Sequence, residues 1–292
     1  MVTSPTTAGS EAMPTADAPE TPLFFEHAGR PLYAVYHAPA PGRPGAPLLV
    51  HCHSLGVEQL TTYRSEVLFA RAAAAAGVPV FRYHARGHGD SAGDFADVRF
   101  EGLVEDALAA AREGLARSGA RGVAWLGVRF GALIAAAALA RHPDTRGLAL
   151  WEPVERPEEY FRGLLRGLLY SKVARGERPE ATADELMARV MAEGQVDVHG
   201  YYLHRELVAS VQAVRLETLL GAWSGPTFLA QIQGRRRLAP AHAALAGALT
   251  GRGAAVATLC VAEEPGWHFI ANPAWESPEL VRATAEWVHA LA

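Results

Sequence analysis

The chain has little of what a disulfide-stabilised or a membrane-spanning protein needs. Its 292 residues include two cysteines, Cys52 and Cys260, which are too few for the disulfide framework of a small secreted domain. The alanine runs at 72–76 and 135–138 are far shorter than the roughly 20 apolar residues that cross a bilayer. We therefore expect a protein of the reducing cytoplasm without a membrane span.

Lysine is scarce, and the chain has no net positive charge. Lys172 is the only lysine, and 27 basic residues are set against 31 acidic ones, for a net charge of -4. Such a balance gives no overall positive field that would attract nucleic acid. We therefore expect a small-molecule ligand or a protein partner, and no nucleic acid.

The first 22 residues contain no lysine or arginine and no apolar core. A secretory signal needs both a basic start and an apolar centre, so this segment fails as one. Its threonine, alanine, proline and glutamate content predicts a disordered tail at 1–22.

Beyond the tail, strand-like and helical patterns alternate. Two runs within 24–37 predict a hairpin, and short apolar runs follow at 47–51, 78–83, 123–126, 147–151, 227–232 and 255–261. Helical patterns lie between them, among them 63–76 and 100–118. This alternation predicts an α/β fold with a mostly parallel, doubly wound sheet.

The alternation breaks between 157 and 220, where three helical patterns follow one another. We interpret 154–224 as an inserted helical cap, here called the cap segment, between the core segments 23–153 and 225–292. The first helical pattern has apolar residues on one face, which either pack on the core or also line a pocket.

A strand, a sharp turn and an alanine-rich helix follow one another over residues 123–142. The turn reads Gly-Val-Arg-Phe-Gly at 127–131, here called the elbow. Where such a turn carries the pattern G-x-S-x-G, its two glycines present a serine nucleophile. In this chain the central residue is Arg129, whose guanidinium stays protonated and cannot attack a carbonyl.

The elbow and the loop Arg-Gly-His-Gly-Asp-Ser at 86–91 resemble the α/β-hydrolase superfamily, in its serine-aminopeptidase-like branch. A closer resemblance is to the exosortase A system-associated hydrolases of the second type, whose members often share an arginine at the elbow. The matching pieces lie at 90–101, at 126–135 (Leu-Gly-Val-Arg-Phe-Gly-Ala-Leu-Ile-Ala), at 150–154 (Leu-Trp-Glu-Pro-Val), at 200–203 and at 278–284. The resemblance implies an α/β-hydrolase fold with a helical cap.

Acyl transfer needs a nucleophile, a base, an acid that orients the base, and backbone donors for the oxyanion. With Arg129 at the nucleophile position, the nearby alternatives are Ser54, Cys52 and Ser91, each on a different loop from the elbow. The expected oxyanion donors are the backbone N–H groups of Ser54 or Leu55 and of Phe130, where an anion could bind.

The resemblance implies that His268, after the last strand, is the base. The usual acid position, at 232–237, holds no carboxylate. Glu152, after the strand that follows the elbow, is an alternative acid that could reach His268 or Arg129. We expect an ion pair between Arg129 and Glu152 to occupy the former catalytic site.

Histidines cluster in the two loops that precede the elbow. His51 and His53 would share one face of a strand, with His84 and His88 following in the next loop, which suggests a metal ion, but no clear third ligand appears. The simpler interpretation is that His53, Arg86 and His88 support the loop of the oxyanion donors. We expect no metal and no cofactor.

Two functions therefore stay open. In the first, the protein has lost serine-hydrolase chemistry and binds a small acyl or anionic ligand, or a partner, in the degenerate site. In the second, His268 and Glu152 act as acid and base in a hydrolase or lyase without a serine nucleophile.

Overall fold

The computed structural model describes residues 19–41, 45–234, 236–268 and 275–291, with the backbone alone for His268. The strands are β1 (Glu20–His27), β2 (Arg30–His37), β3 (Leu48–Cys52), β4 (Val80–Tyr83), β5 (Val123–Val128), β6 (Thr145–Trp151), β7 (Gln195–Val198), β8 (Tyr201–His204), β9 (Thr227–Ile232) and β10 (Val256–Val261). The helices are α1 (Val57–Ala75), α2 (Phe100–Ser118), α3 (Gly131–Leu139), α4 (Pro157–Ala174), α5 (Ala183–Glu193), α6 (Arg205–Ser210), α7 (Leu216–Leu219), α8 (Pro240–Gly251) and α9 (Pro278–His289).

Eight of the described strands form one sheet in the order β1-β2-β4-β3-β5-β6-β9-β10. All pairs from β4 to β10 are parallel, while β1 and β2 pair antiparallel at one edge. Helices α2 and α3 pack on one face of the sheet and α1 and α9 on the other. The predicted doubly wound, mostly parallel sheet of the α/β-hydrolase fold is confirmed.

The hairpin predicted at 24–37 is confirmed, but it begins earlier. Ala28 and Gly29 form a two-residue turn with φ of 51° and 72°, the geometry that suits the twist of two antiparallel strands. Glu20 already pairs with His37, so the predicted end of the tail at residue 22 is wrong. Residues 1–18 lie outside the described part of the chain.

Helix α1 also begins earlier than predicted, at Val57 instead of near residue 63. The chain turns into the helix at Gly56, whose φ of 54° and ψ of -130° suit glycine alone. The first half of the helix buries polar residues, among them Glu58, Thr62 and Glu66. Apolar periodicity could not indicate a helix whose buried face starts out polar.

The cap segment is helical only in part. It contains α4 to α7 and also the antiparallel pair β7 and β8, so the expectation of three helices alone was wrong. Each of these strands has four residues and too short a pattern to be recognised. Phe161 of α4 packs on Phe130 of the elbow with ring centroids 5.9 Å apart, which places α4 over the elbow.

In the described part of the chain, no helix is both long and apolar enough to cross a membrane.

Candidate functional site at the elbow

The elbow has the tight geometry of a nucleophile turn. Arg129 has a φ of 52°, and its N–H donates to the carbonyl oxygen of Trp151 at 2.9 Å. A Cβ at Gly131 would lie 2.0 Å from the carbonyl oxygen of Cys52, and one at Gly127 would lie 2.4 Å from the Cα of Ala132. The turn therefore holds Arg129 in the left-handed region of the backbone. At both glycine positions, neighbouring backbone leaves no room for a side chain.

The guanidinium of Arg129 is enclosed by one carboxylate and two aromatic rings. Its Nη2 lies 3.1 Å from Oε1 of Glu58, and its Cζ lies 4.7 Å from the ring centre of Trp267 and 5.6 Å from that of Tyr160. Only 18% of the side chain is exposed. A cation in contact with aromatic faces and paired with a carboxylate is fixed in place.

Glu58 in turn is held by three donors. Ser54 Oγ donates to its Oε2 at 2.7 Å and the Tyr160 hydroxyl donates to the same oxygen at 3.0 Å, while Arg129 donates to Oε1. Burial alone would lower the pKa of Arg129, but Glu58, together with Tyr160 and Glu152, raises the pKa above its ordinary value. The ion pair therefore keeps both charges in a buried place.

The expected ion pair between Arg129 and the carboxylate of Glu152 was wrong. Glu152 has a φ of 40°, and its carboxylate accepts hydrogen bonds from the Ile232 N–H at 2.6 Å and from Gln233 Nε2 at 3.0 Å. Arg129 reaches the backbone carbonyl of Glu152 at 3.5 Å. The side chain of Glu152 is therefore directed to the end of β9, and Glu58 takes the expected role.

Sequence reasoning missed Glu58 because it placed residue 58 in a loop. The sequence feature that could have indicated Glu58 is a carboxylate that closely follows the turn after β3, in the segment Ser-Leu-Gly-Val-Glu at 54–58. An acidic residue in the first turn of a helix is favoured by the helix dipole. With the start of α1 placed at residue 57, Glu58 would have been expected at the carboxyl edge of the sheet.

The two segments that carry the predicted oxyanion donors lie against each other. The loop between β3 and α1, which carries Ser54 and Leu55, contacts the start of α3, where Phe130 is the residue before the first helical turn. The contact is close, because a Cβ at Gly131 would also lie 2.6 Å from the carbonyl oxygen of His53. An oxyanion site at this place stays a prediction.

His53, one of the residues predicted to support the β3–α1 loop, connects that loop to the loop after β4. His53 Nε2 accepts from the Ala85 N–H at 3.2 Å, which leaves Nδ1 as the donor to the Ser54 carbonyl oxygen at 2.6 Å. Burial lowers the pKa of His53 well below its ordinary value, so the ring is neutral. A neutral ring with one donor and one acceptor fixes the loop.

Arg86 and His88 fasten the second loop. The guanidinium of Arg86 donates twice to Asp106 of α2, at 2.9 and 2.8 Å, in the bidentate geometry that favours arginine. His88 Nδ1 lies 3.0 Å from the carbonyl oxygen of Arg86, and burial lowers the pKa of His88 to about 4. The side chains of Arg86 and His88 therefore stabilise the loop after β4.

The alternative nucleophiles do not occupy the elbow. Ser91 Oγ donates to the His84 carbonyl oxygen at 2.6 Å, within its own loop. Burial raises the pKa of Cys52 to about 12, so its thiol stays protonated and unreactive. Ser54 is buried and donates to Glu58.

The triad base and acid positions are described only in part. His268 ends a short 3-10 turn (Gly266–His268), and its side chain lies outside the described residues, as does Arg235. Trp267 of the same turn covers Arg129, so the turn lies beside the elbow. At the usual acid position, Gln233 binds Glu152.

His51 does not join His53 at a common ligand. Its Nε2 lies 3.6 Å from Oε2 of Glu66, while both ring nitrogens of His53 contact backbone atoms. No group of three or more histidine, cysteine, aspartate or glutamate side chains in the described ranges is arranged to hold a metal ion.

An apolar pocket adjoins the elbow. It is narrow, with a cavity volume of about 30 Å³, and lies between the β3–α1 loop and the cap segment. Leu55 and Val57 line one side, and Phe161, Leu164 and Tyr201 line the other. Phe161 also packs on Phe130 of the elbow, so the pocket lies next to the elbow.

Together, the parallel sheet, the elbow and the overlying segment define a protein of the α/β-hydrolase fold. The family model described as serine aminopeptidase, S33, matches residues 58–213, which is more than half of the chain. The protein therefore belongs to this family. No curated protein matches the chain.

Solved structures agree with this fold. Est1E from Butyrivibrio proteoclasticus, solved with ferulic acid bound, has a TM-score of 0.65 and 16% identity over 92% of this chain and 96% of its own. An esterase from Pyrococcus furiosus has a TM-score of 0.63 and 12% identity over 98% and 97%. Proline iminopeptidase from Mycobacterium smegmatis has a TM-score of 0.57 and 14% identity over 93% and 98%. At these identities the likeness concerns the fold.

Proposed function

We propose that this α/β-hydrolase-fold protein binds a small acyl ligand at the elbow without forming an acyl-enzyme. The observation that carries the proposal is the guanidinium of Arg129, held at the nucleophile position by Glu58 at 3.1 Å. A permanently protonated group offers no electron pair for attack on a carbonyl. The nearby hydroxyls of Ser54 and Ser91 donate to other groups, and the Cys52 thiol stays protonated.

The pocket beside the elbow supports the acyl part of the proposal. Its walls are aliphatic and aromatic side chains, which favour a hydrocarbon chain. The β3–α1 loop and the start of α3 offer backbone donors to the carbonyl oxygen of such a ligand. An acyl group would therefore place its carbonyl at the elbow and the start of its tail in this pocket, which has to widen to take a longer chain.

An active-site serine probe tests this proposal. We expect a fluorophosphonate to leave the native protein unlabelled and a panel of short-chain and medium-chain esters to remain unhydrolysed. The Arg129→Ser variant returns a hydroxyl to the turn and serves as the positive control, because its labelling shows that the probe reaches the elbow. Labelling of the native protein would contradict the proposal.

The second function, acid–base chemistry by His268 and Glu152, makes a different prediction. Turnover of an ester without labelling, abolished in His268→Ala and Glu152→Gln, would favour it. The geometry does not favour Glu152 in this role, because both oxygens of its carboxylate already accept hydrogen bonds, from Ile232 and Gln233.

We also propose a place for the protein within its family and in the cell. The arginine at the elbow and the matching segments at 90–101 and 150–154 favour the exosortase A system-associated group of the second type. Both cysteines are free, which supports a cytoplasmic location. In this arrangement residues 154–224 act as the cap over the core segments 23–153 and 225–292.

A further inference from the structure

The charges already present at the elbow restrict which acyl ligands can bind there. Two carboxylates, those of Glu58 and Glu152, act on the guanidinium of Arg129, and Glu58 has the larger influence. The positive charge of Arg129 is therefore already neutralised within the protein. A ligand with a negative head group would bring a further negative charge to this place.

Glu58 is not free to make way for such a ligand. Its side chain is 3% exposed, and its two oxygens accept from Arg129, Ser54 and Tyr160. Removing it would leave the buried cation of Arg129 without its carboxylate and would take the charged acceptor from Ser54 and Tyr160, at a large cost. An incoming carboxylate therefore has to bind beside Glu58 and cannot replace it.

An uncharged acceptor meets a different situation. The Nε of Arg129 is buried and has no hydrogen-bond partner among the described residues. A carbonyl oxygen of an amide or ester could accept from this N–H, or from the nearby backbone donors, and would add no charge. None of the residues that line the apolar pocket has a charged side chain.

We propose that Glu58 sets the charge of the head group that this site accepts. The ligand is an uncharged carbonyl compound with an apolar tail, such as an amide or an ester, and the free carboxylate is rejected. This inference rests on the proposed binding of an acyl ligand. It assigns to Glu58 a role in specificity that is separate from catalysis.

Binding of two nearly isosteric probes, octanamide and octanoate, tests the inference by titration calorimetry at neutral pH. Because one charge in a partly buried place changes a binding constant by about tenfold or more, the native protein should bind octanamide at least about tenfold more tightly. In Glu58→Gln, Arg129 becomes an unpaired cation. The preference should then shift toward octanoate by at least about tenfold.

Glu66→Gln is the matched control. Glu66 lies on the same buried face of α1, but its carboxylate contacts the Thr62 hydroxyl and His51 instead of Arg129. This variant should keep the native preference. The double variant Glu58→Gln with Arg129→Gln, which leaves no buried cation unpaired, covers the case in which Glu58→Gln fails to fold, and it should still favour octanamide.

Each outcome decides between distinct claims. Equal or tighter binding of octanoate by the native protein would overturn the role of Glu58 and leave acyl binding standing. An unchanged preference in folded Glu58→Gln, or a preference of the double variant for octanoate, would do the same. If the native protein bound neither probe, the proposed acyl function would fail, and the inference with it.

Discussion

Helices α1 and α2 have 19 residues each and pack on opposite faces of the sheet, but their buried faces differ. Helix α2 buries Phe100, Leu103, Val104 and a series of alanines, with Asp106 as the charged member of that face. Apart from Val57, the first half of α1 buries polar residues, among them Glu58, Thr62, Ser65 and Glu66, and further buried apolar residues begin at Phe69.

The difference shows where the structure departs from simple amphipathic packing. Buried polar groups are tolerated only when partners satisfy them. The partners of α1 come from the elbow, the cap segment and the segment before α9, through Arg129, Tyr160 and the carbonyl oxygen of Trp275. The polar half of α1 is thus the half that faces the candidate site.

The largest expected effect comes from breaking the ion pair at the start of α1. Glu58→Ala leaves the guanidinium of Arg129 buried and unpaired, so we expect the free energy of unfolding to fall by about 3–5 kcal/mol. Denaturant unfolding followed by circular dichroism measures this change. The double variant Glu58→Ala with Arg129→Leu should recover most of the loss. A loss below about 1 kcal/mol in the single variant, the size of an ordinary substitution, would show that the pair contributes little.

A cavity in the apolar face of α2 gives the matching measurement on the other side of the sheet. Leu103 is fully buried, so Leu103→Ala should lower the free energy of unfolding by about 2–5 kcal/mol. The ratio of octanamide to octanoate binding should stay at its native value, because Leu103 belongs to the core. A changed ratio would mean that both helices, and not α1 alone, determine head-group selectivity.

Glu66 should give α1 a pH dependence that α2 lacks. Burial raises the pKa of Glu66 from 4.5 to about 7, so between these values the folded state keeps a proton that the unfolded state has lost. The contribution of Glu66 to the free energy of unfolding is therefore complete below pH 4.5 and is lost as the pH rises to 7. Glu66→Gln should therefore gain about 1–3 kcal/mol relative to the native protein across this window.

Denaturant unfolding of both proteins at several pH values between 4.5 and 7.5 checks this prediction. The control is Glu193→Gln on the exposed face of α5, which should show a constant difference from the native protein. Burial lowers the pKa of His51 to about 3, and this produces the opposite slope between pH 3 and 6.5 in both proteins. A difference between Glu66→Gln and the native protein that is independent of pH would rule out a protonated Glu66.

The smallest expected effect concerns the contact between the cap segment and α1. Tyr160→Phe removes one donor to Glu58 while two others remain, so the free energy of unfolding should fall by about 0.5–1.5 kcal/mol. Tyr170→Phe, on the same helix and 72% exposed, should change it by less. Equal effects in the two variants would indicate that the hydroxyl of Tyr160 does not stabilise Glu58.

The same comparison explains what the sequence allowed us to predict. Helix α2 was placed at 100–118, as observed, because its apolar period is that of a helix with one buried face. The elbow, with Arg129 at its centre, was also recognisable, because two glycines four positions apart between a strand and a helix indicate a tight turn. The fold follows from such local patterns.

The partner of Arg129 could not be found in that way. Glu58 and Glu152 are both carboxylates near the carboxyl edge of the sheet, and the choice between them depends on where α1 begins and on the φ of 40° at Glu152. Both are set by tertiary contacts that periodicity does not report. The cap hairpin of β7 and β8 was missed for a related reason, because each strand is too short to carry a pattern.

The backbone conformation of Gly56 limits how this protein can diverge at the start of α1. A Cβ at this position would lie 3.5 Å from the Cβ and Cγ of Tyr201, which is ordinary contact, so space is not the constraint. The φ of 54° is the constraint, because residues with a side chain rarely adopt it. A substitution of Gly56 should therefore strain the turn into α1 and, with it, the position of Glu58.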